Sequence, residues 1–111
     1  MMTTIQEHAP HATLINVFTV APERASELAE LLRVATVQKM RFVPGFISAN
    51  IHVSTDGTRV VNYAQWQSAE AYQAMLQDPT AREHMGVCAA VATSFEPHLY
   101  TVQSVHHAPN A

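Results

Sequence analysis

Residues 46–72 read FISANIHVSTDGTRVVNYAQWQSAEAY, and this stretch contains two strand patterns, a turn and the start of a helix. β-Branched and aromatic residues are concentrated in 46–53 and 59–66, which favours strands. The STDGT segment between them is typical of a hairpin loop. Ser68 is a suitable N-cap for a short helix with the sequence AEAYQAML. The stretch therefore predicts a β-hairpin that leads into a helix.

The flanking sequence adds two strands and two helical segments. ATLINVFTV (12–20) has a strand composition, and PERASELAELLRVATVQKMR (22–41) repeats its apolar residues at helical spacing. Asp78-Pro79 interrupts the second helix and begins another over about 80–92, and SFEPHLYTVQSV (94–105) is the last strand. The order β-α-β-β-α-β predicts an α+β, ferredoxin-like split βαβ fold. Right-handed crossovers then place both helical segments on one face of a four-stranded antiparallel sheet.

Composition limits the kind of protein this is. A chain of 111 residues with 48% hydrophobic residues predicts one domain, with an ordered core over about 12–105 and tails at 1–11 and 106–111. A net charge of -3 with six Lys and Arg argues against a nucleic-acid partner. The chain lacks an apolar run long enough to span a membrane, and it lacks a signal-peptide pattern. One cysteine allows no intrachain disulfide, so we predict a cytoplasmic protein.

Polar residues are unexpectedly frequent on one face of the predicted hairpin. Side chains alternate along a strand, so Asn62 and Trp66 share a face of the third strand. Phe46, Asn50 and His52 likewise share a face of the second strand. Whether these two sets lie on the same side of the sheet depends on the loop that joins the strands.

Two loops are compatible with the sequence between the strands. A three-residue loop over 55–57, with Gly57 in the left-handed conformation, places Asn50 opposite Asn62 and makes His52 a diagonal neighbour of Asn62. A two-residue Asp56-Gly57 turn moves His52 to the opposite face. We favour the three-residue loop because it gathers the polar residues on one side and leaves the other side of the second strand uniformly apolar; it also places Phe46 opposite Trp66.

The choice of loop also predicts the other side of the sheet. The second strand would present only apolar residues there, and a bare apolar sheet face usually contacts a partner, so we expect a homodimer with the sheets packed face to face. These apolar residues are Ile47, Ala49, Ile51 and Val53. On the polar side, Tyr72 and Met75 share a helical stripe that should point into the same space beneath the helices.

The segment VPGFISANIHVSTDGTRVVNYAQWQSAEAY, residues 43–72, resembles the antibiotic biosynthesis monooxygenase family. It is most similar to the small cofactor-independent oxygenases that convert anthrone-type aromatic polyketides to quinones. The resemblance implies a dimeric α+β barrel with an active site between the sheet and the helices of each protomer. It also implies that molecular oxygen is used without flavin, heme or metal.

The resemblance implies a set of catalytic residues, namely Asn62, Trp66, Tyr72 and His52. Asn62 would donate hydrogen bonds to a developing enolate oxygen, and Tyr72 would donate or relay a proton. Trp66 offers a flat face and an indole N–H, and His52 has a pKa suited to a base. Arg82 is the candidate for an arginine that some members place after the broken helix. The predicted substrate-binding residues are Asn50, Phe46, Met75 and Arg82.

Other functions remain open on the sequence alone. A heme-degrading monooxygenase shares the fold but needs a helix histidine as iron ligand, for which His84 is the candidate. A non-catalytic dimeric binding or stress-response module and a polyketide cyclase are further alternatives. His84 and Cys88 share a helix face, and His11 could approach His106 and His107, but two or three such side chains make only a weak metal hypothesis.

Overall fold

The computed structural model describes residues 2–109 and contains one four-stranded antiparallel sheet with all helices on one face. The strand order β2-β3-β1-β4 confirms the predicted ferredoxin-like topology. The strands are β1 (Ala12–Thr19), β2 (Phe46–Val53), β3 (Arg59–Trp66) and β4 (Ser94–Tyr100), and the helices are α1 (Ala25–Gln38), α2 (Ala69–Leu76) and α3 (Pro79–Val91), with 3-10 turns at Pro22–Arg24 and Met40–Phe42. The sequence had predicted that the last strand ends at residue 105, but it ends at Tyr100.

The break between α2 and α3 arises from two side-chain caps. The Ser68 hydroxyl oxygen accepts the Ala71 N–H at 3.1 Å and starts α2. The Asp78 carboxylate accepts the N–H groups of Thr80 at 2.9 Å and Ala81 at 3.1 Å, and Pro79 is the first residue of α3. The sequence had predicted both helix starts, and both are confirmed.

The core is divided into two clusters. One surrounds Phe18, Leu28 and Val60, and the other surrounds Leu14 and Trp66. In the register of β1 and β3, Leu14 lies opposite Ala64, Asn16 opposite Asn62, and Phe18 opposite Val60. A pair of asparagines therefore separates the two apolar clusters in the middle of the sheet.

The outer face of the sheet, which has no helices on it, is mixed in polarity. Ala49 and Ile51 pack against the core, so Ser48, Asn50 and His52 occupy the outer face of β2. The predicted uniformly apolar outer face along the second strand is therefore wrong. An apolar area remains at the centre of the outer face, formed by Ile15, Val17, Val61 and Tyr63.

The N-terminal segment crosses part of this outer face. Thr3 and the Asn50 amide are hydrogen-bonded at 3.0 Å, and the Gln65 amide donates to the Thr4 carbonyl at 2.7 Å. Gln65 is consequently only 2% exposed. The His8 N–H donates to the Val102 carbonyl at 2.9 Å, which joins the N-terminal segment to the chain after β4. None of the helices within residues 2–109 has both the length and the apolar character needed to cross a bilayer.

Candidate active site

A cavity lies between the helix-facing side of the sheet and the helices. Its volume, counted as the space open to the centre of a water molecule, is about 100 Å³. One water needs only about 10–15 Å³ by that measure, so the cavity is much larger than a packing defect. Its walls come from all four strands, the three α-helices and the 3-10 turn at Met40–Phe42. The lining residues are Leu14, Asn16, Phe18, Leu32, Ala35, Thr36, Met40, Phe46, Ala49, Asn62, Ala64, Trp66, Tyr72, Met75, Met85, Cys88, Ala89 and Phe95.

Three buried polar atoms on this wall lack hydrogen-bond partners within residues 2–109. They are the Oδ1 atoms of Asn16 and Asn62 and the indole Nε1 of Trp66. Buried polar groups in folded proteins are nearly always paired, and each unpaired one costs about 1–3 kcal/mol. Three such groups around one apolar cavity are the pattern of a ligand site with a few orienting polar contacts.

Asn16 is a member of the site that the sequence analysis did not identify. It lies directly opposite Asn62 on the neighbouring strand and lines the same cavity. The available signal was its position in ATLINVFT, because asparagine is depleted in strands and Asn16 alternates with Leu14 and Phe18. The pairing with Asn62 is what identifies it as part of a polar site.

Aromatic side chains form one end of the cavity. The ring centroids of Phe46 and Trp66 are 5.5 Å apart with the planes at 86°, and those of Trp66 and Tyr72 are 6.2 Å apart at 61°. Burial raises the pKa of the Tyr72 phenol above its usual value of 10.0. Tyr72 therefore keeps its proton at neutral pH and is suited to donate a hydrogen bond or a proton.

Flexible and chemically inert residues form the remaining helical wall. Met40, Met75 and Met85 come from three different helical segments, and methionine adapts its shape to an irregular ligand. Cys88 is buried, and burial raises the pKa of its thiol to about 11. Since the thiolate is the reactive form, Cys88 is unsuited to act as a nucleophile here.

His52 and Asn50 lie outside the cavity. In the observed register His52 is opposite Val61, and Asn50 is opposite Tyr63, so both point to the outer face. His52 is exposed, and the Asn50 amide donates to the Tyr63 carbonyl at 3.1 Å. The prediction that these two residues share a face with Asn62 is wrong.

The hairpin loop explains this difference. Gly57 adopts the predicted left-handed conformation with φ of 75°, but the Ser54 N–H donates to the Arg59 carbonyl, so the loop covers the four residues 55–58. The Asp56 carboxylate accepts the Thr58 N–H at 3.0 Å and the Ser54 hydroxyl at 2.8 Å. These bonds satisfy polar groups inside the loop and stabilise its extra residue. They also hold the pKa of Asp56 at about 2.

The other predicted residues divide between the cavity and the surface. Asn62, Trp66, Tyr72, Phe46 and Met75 all line the cavity. Arg82 is exposed on α3 and is absent from the cavity wall, so the structure places it away from the candidate site.

The structure gives no support to the metal hypotheses. His84 lies on α3 and is likewise absent from the described cavity wall. Within residues 2–109, no group of three or more His, Cys, Asp or Glu side chains is placed to hold a metal ion.

Comparison with known proteins identifies the class. The Antibiotic biosynthesis monooxygenase family matches residues 12–86, which is more than half of the chain, and the chain belongs to this family. It is therefore a monooxygenase, as the resemblance of residues 43–72 had predicted.

Three similar proteins come from Streptomyces species. The chain is 45% identical over 91 residues to tetracenomycin-F1 monooxygenase of Streptomyces glaucescens, covering 82% of this chain and 81% of that protein. A monooxygenase from the gene ActVA-Orf6 of Streptomyces coelicolor, solved with nanaomycin D, superposes with a TM-score of 0.77 at 30% identity, covering 91% of this chain and 94% of that one. An asparagine-to-alanine variant of SnoaB, a cofactor-independent oxygenase from Streptomyces nogalater, gives 0.70 at 25% identity, covering 87% and 97%. These relatives support a polyketide monooxygenase.

Proposed function

We propose that this protein is a cofactor-independent monooxygenase that oxidises a flat, polycyclic anthrone-type polyketide phenol to a quinone with molecular oxygen. One observation carries the proposal: an apolar cavity contains three unpaired polar groups and no charged side chain on its described wall. A planar aromatic that carries both hydroxyl and carbonyl oxygens matches that wall in shape and polarity, because the Oδ1 atoms of Asn16 and Asn62 accept hydrogen bonds and the Trp66 Nε1 donates one. The description of SnoaB as cofactor-independent supports the absence of a cofactor.

The first step requires the enzyme to favour the deprotonated substrate. An anthrone has a methylene group whose loss of a proton gives an aromatic enolate. The amides of Asn16 and Asn62 carry N–H donors that can bind the enolate oxygen, which lowers the pKa of the substrate. The cavity wall described here has no histidine and no carboxylate, so we assign the proton to water entering the cavity.

The enolate then supplies the electrons for oxygen chemistry. It transfers one electron to O₂, and the resulting radical pair joins to form a carbon–oxygen bond at the former methylene carbon. The peroxide loses its remaining C–H hydrogen and the outer oxygen as water, which leaves the second carbonyl of the quinone. We assign the protonation of the departing oxygen to Tyr72, which retains its proton and lines the cavity. One atom of O₂ ends in the quinone and the other in water.

We further propose a homodimer formed through the outer face of the sheet. The apolar centre of that face, formed by Ile15, Val17, Val61 and Tyr63, is uncovered by helices. The free, buried thiol of Cys88 is compatible with a reducing cytoplasm.

The alternative functions require different residues or a different co-substrate at the same site. A heme-degrading enzyme needs an axial histidine in the cavity, and His84 is outside it. A polyketide cyclase could use this cavity without consuming oxygen, so oxygen uptake separates the two activities.

The test is oxygen uptake with dithranol, a dihydroxyanthrone, followed by an oxygen electrode and by quinone absorbance. Asn62→Ala should lower kcat by about 10²–10³ because it removes an oxyanion donor. Tyr72→Phe should lower kcat by about 10²–10⁴ because it removes the proton donor. Trp66→Phe should weaken turnover as well, since it removes the indole N–H.

Controls separate the site from general damage to the fold. Tyr63→Phe, a tyrosine on the outer face, should keep the wild-type rate, and so should His52→Ala if the observed register is correct. Turnover should stop without oxygen and survive dialysis against a chelator. Wild-type rates in all three cavity variants would show that the site is misassigned.

A further inference from the structure

The start of β2 contains a β-bulge beside the cavity. Phe46 lies opposite Trp66 and Ser48 lies opposite Gln65, so Ile47 is an extra residue with no partner on β3. Bulges commonly redirect a side chain next to an active site. Here Phe46 lines the cavity, although the even-numbered residues that follow it in β2 face the other side of the sheet.

Gly45, the residue before β2, holds the start of this strand close to helix α2. Gly45 has a φ of 89°, a conformation that glycine adopts without steric cost, and its carbonyl accepts the Gln67 N–H at 2.7 Å. A Cβ added at Gly45 would overlap the Cβ of Ala71. The chain can therefore approach α2 this closely only because residue 45 lacks a side chain.

This close approach lies beside the aromatic residues of the two elements, both of which contact Trp66. Ala71 is adjacent to Tyr72 on α2, and Gly45 is adjacent to Phe46 at the start of β2. The ring of Trp66 contacts both, with centroid distances of 5.5 Å to Phe46 and 6.2 Å to Tyr72. The contact between Gly45 and Ala71 thus joins the segment that precedes Phe46 to the helical turn that carries Tyr72.

We propose that Phe46 selects planar polycyclic ligands over smaller ones, and that Gly45 positions Phe46 through its contact with Ala71. This inference rests on the proposed function, because the ligand is the substrate of that site. Phe46 stands nearly perpendicular to Trp66 and is the partly exposed member of the wall. Because Asn16, Asn62 and Phe46 line the same cavity, we expect a ligand with three fused rings to contact both the asparagine pair and Phe46, and a two-ring ligand to contact the asparagines alone.

Intrinsic fluorescence gives a direct measure of binding, because Trp66 is the only tryptophan of the chain. Two ligands would be titrated: danthron, a planar three-ring quinone, and naphthol, a two-ring phenol. Phe46→Leu should raise the Kd for danthron about 3- to 10-fold, the range expected for losing one aromatic contact, and the Kd for naphthol by less than about twofold. Phe42→Leu is the matched control, because Phe42 is 68% exposed and absent from the described cavity wall.

The role of Gly45 is tested by a steric rescue. Gly45→Ala should also raise the Kd for danthron about 3- to 10-fold, because the added methyl group displaces the strand end and with it Phe46. Adding Ala71→Gly to the same chain removes the overlap, although alanine at a φ of 89° stays strained, so the Kd should recover in part toward the wild-type value. Ala71→Gly alone should leave the Kd for danthron unchanged, and circular dichroism verifies that each variant is folded.

The outcomes test separately the selection by Phe46, the positioning role of Gly45 and the proposed function. Equal effects of Phe46→Leu on both ligands would refute selection by Phe46. An unchanged Kd in Gly45→Ala, or no recovery in the double variant, would refute the positioning role of Gly45. If wild-type protein neither binds danthron nor oxidises dithranol, the proposed function itself fails. Normal dithranol oxidation by the wild type, together with an equal effect of Phe46→Leu on the Kd of both ligands, overturns this inference alone.

Discussion

Replacing Asn16 by leucine should stabilise the fold and destroy activity. The Asn16 Oδ1 is buried without a partner in residues 2–109, and such a group costs about 1–3 kcal/mol. Leucine has a similar shape, carries no polar atom and adds apolar contact with the cavity wall. We therefore expect the free energy of unfolding to rise by about 1–2 kcal/mol. A rise of 1 kcal/mol corresponds to about 4–8 °C in Tm for a domain near this size.

The same change should lower dithranol turnover by about 10²–10³, because one of the two amides that bind the enolate is lost. Urea unfolding and oxygen uptake measure the two effects independently. All variants must be compared at one protein concentration, since stability of a dimer depends on concentration.

Asn50→Leu is the matched control, because Asn50 is also a strand asparagine but its amide is hydrogen-bonded to Thr3 and to the Tyr63 carbonyl. This variant should be destabilised by about 1–3 kcal/mol through the loss of two hydrogen bonds and should retain activity. A destabilised Asn16→Leu protein would mean that the Asn16 amide is satisfied in the folded state. Full activity in that variant would remove Asn16 from the site.

Two further predictions concern the outer face and the cysteine. Val17→Glu should shift the protein from dimer to monomer in sedimentation velocity, while Val37→Glu on the exposed side of α1 should not; a dimer that persists in both variants contradicts the proposed interface. The Cys88 thiol should resist Ellman's reagent in the native state and react after unfolding, and rapid native labelling would contradict its burial. Because burial raises its pKa from 9.0 to about 11, the folded protein holds this proton longer than the unfolded chain does. The free energy of unfolding should therefore fall as the pH rises from 9.0 to about 11, and Cys88→Ala should lack this contribution.

The amino-acid sequence by itself determined the order and type of the elements. The signals are local: Ser68 and Asp78 cap the helices through their own side chains, and Gly57 permits the left-handed turn. Apolar periodicity predicted the buried stripe of α1, which includes Leu28 and Leu32. These features depend on neighbours within a few residues, so the sequence predicts them without knowledge of the fold.

Part of the candidate site could be recognised in the same way. Asn62 and Trp66 are four residues apart on one strand and therefore share a face of the sheet. Tyr72 follows in the first turn of the next helix, so the sequence places all three residues near one another. Asn16 gives a local signal, because asparagine is depleted in strands, but only the pairing of β1 with β3 joins it to Asn62. That pairing joins residues far apart in the sequence, and no local pattern specifies it.

The faces of β2 were decided by tertiary structure alone. Side chains alternate with a period of two, so one additional residue in the loop at 55–58 moved His52 and Asn50 to the outer face. The bulge at Ile47 then turned the strand start back, which placed Phe46 opposite Trp66 as predicted but by a different route. The side chain of Asp56 stabilises the longer loop, and the bulge lies next to the close approach of Gly45 to Ala71. Both are small differences in hydrogen bonding and packing, to which the hydrophobic pattern of the sequence is insensitive.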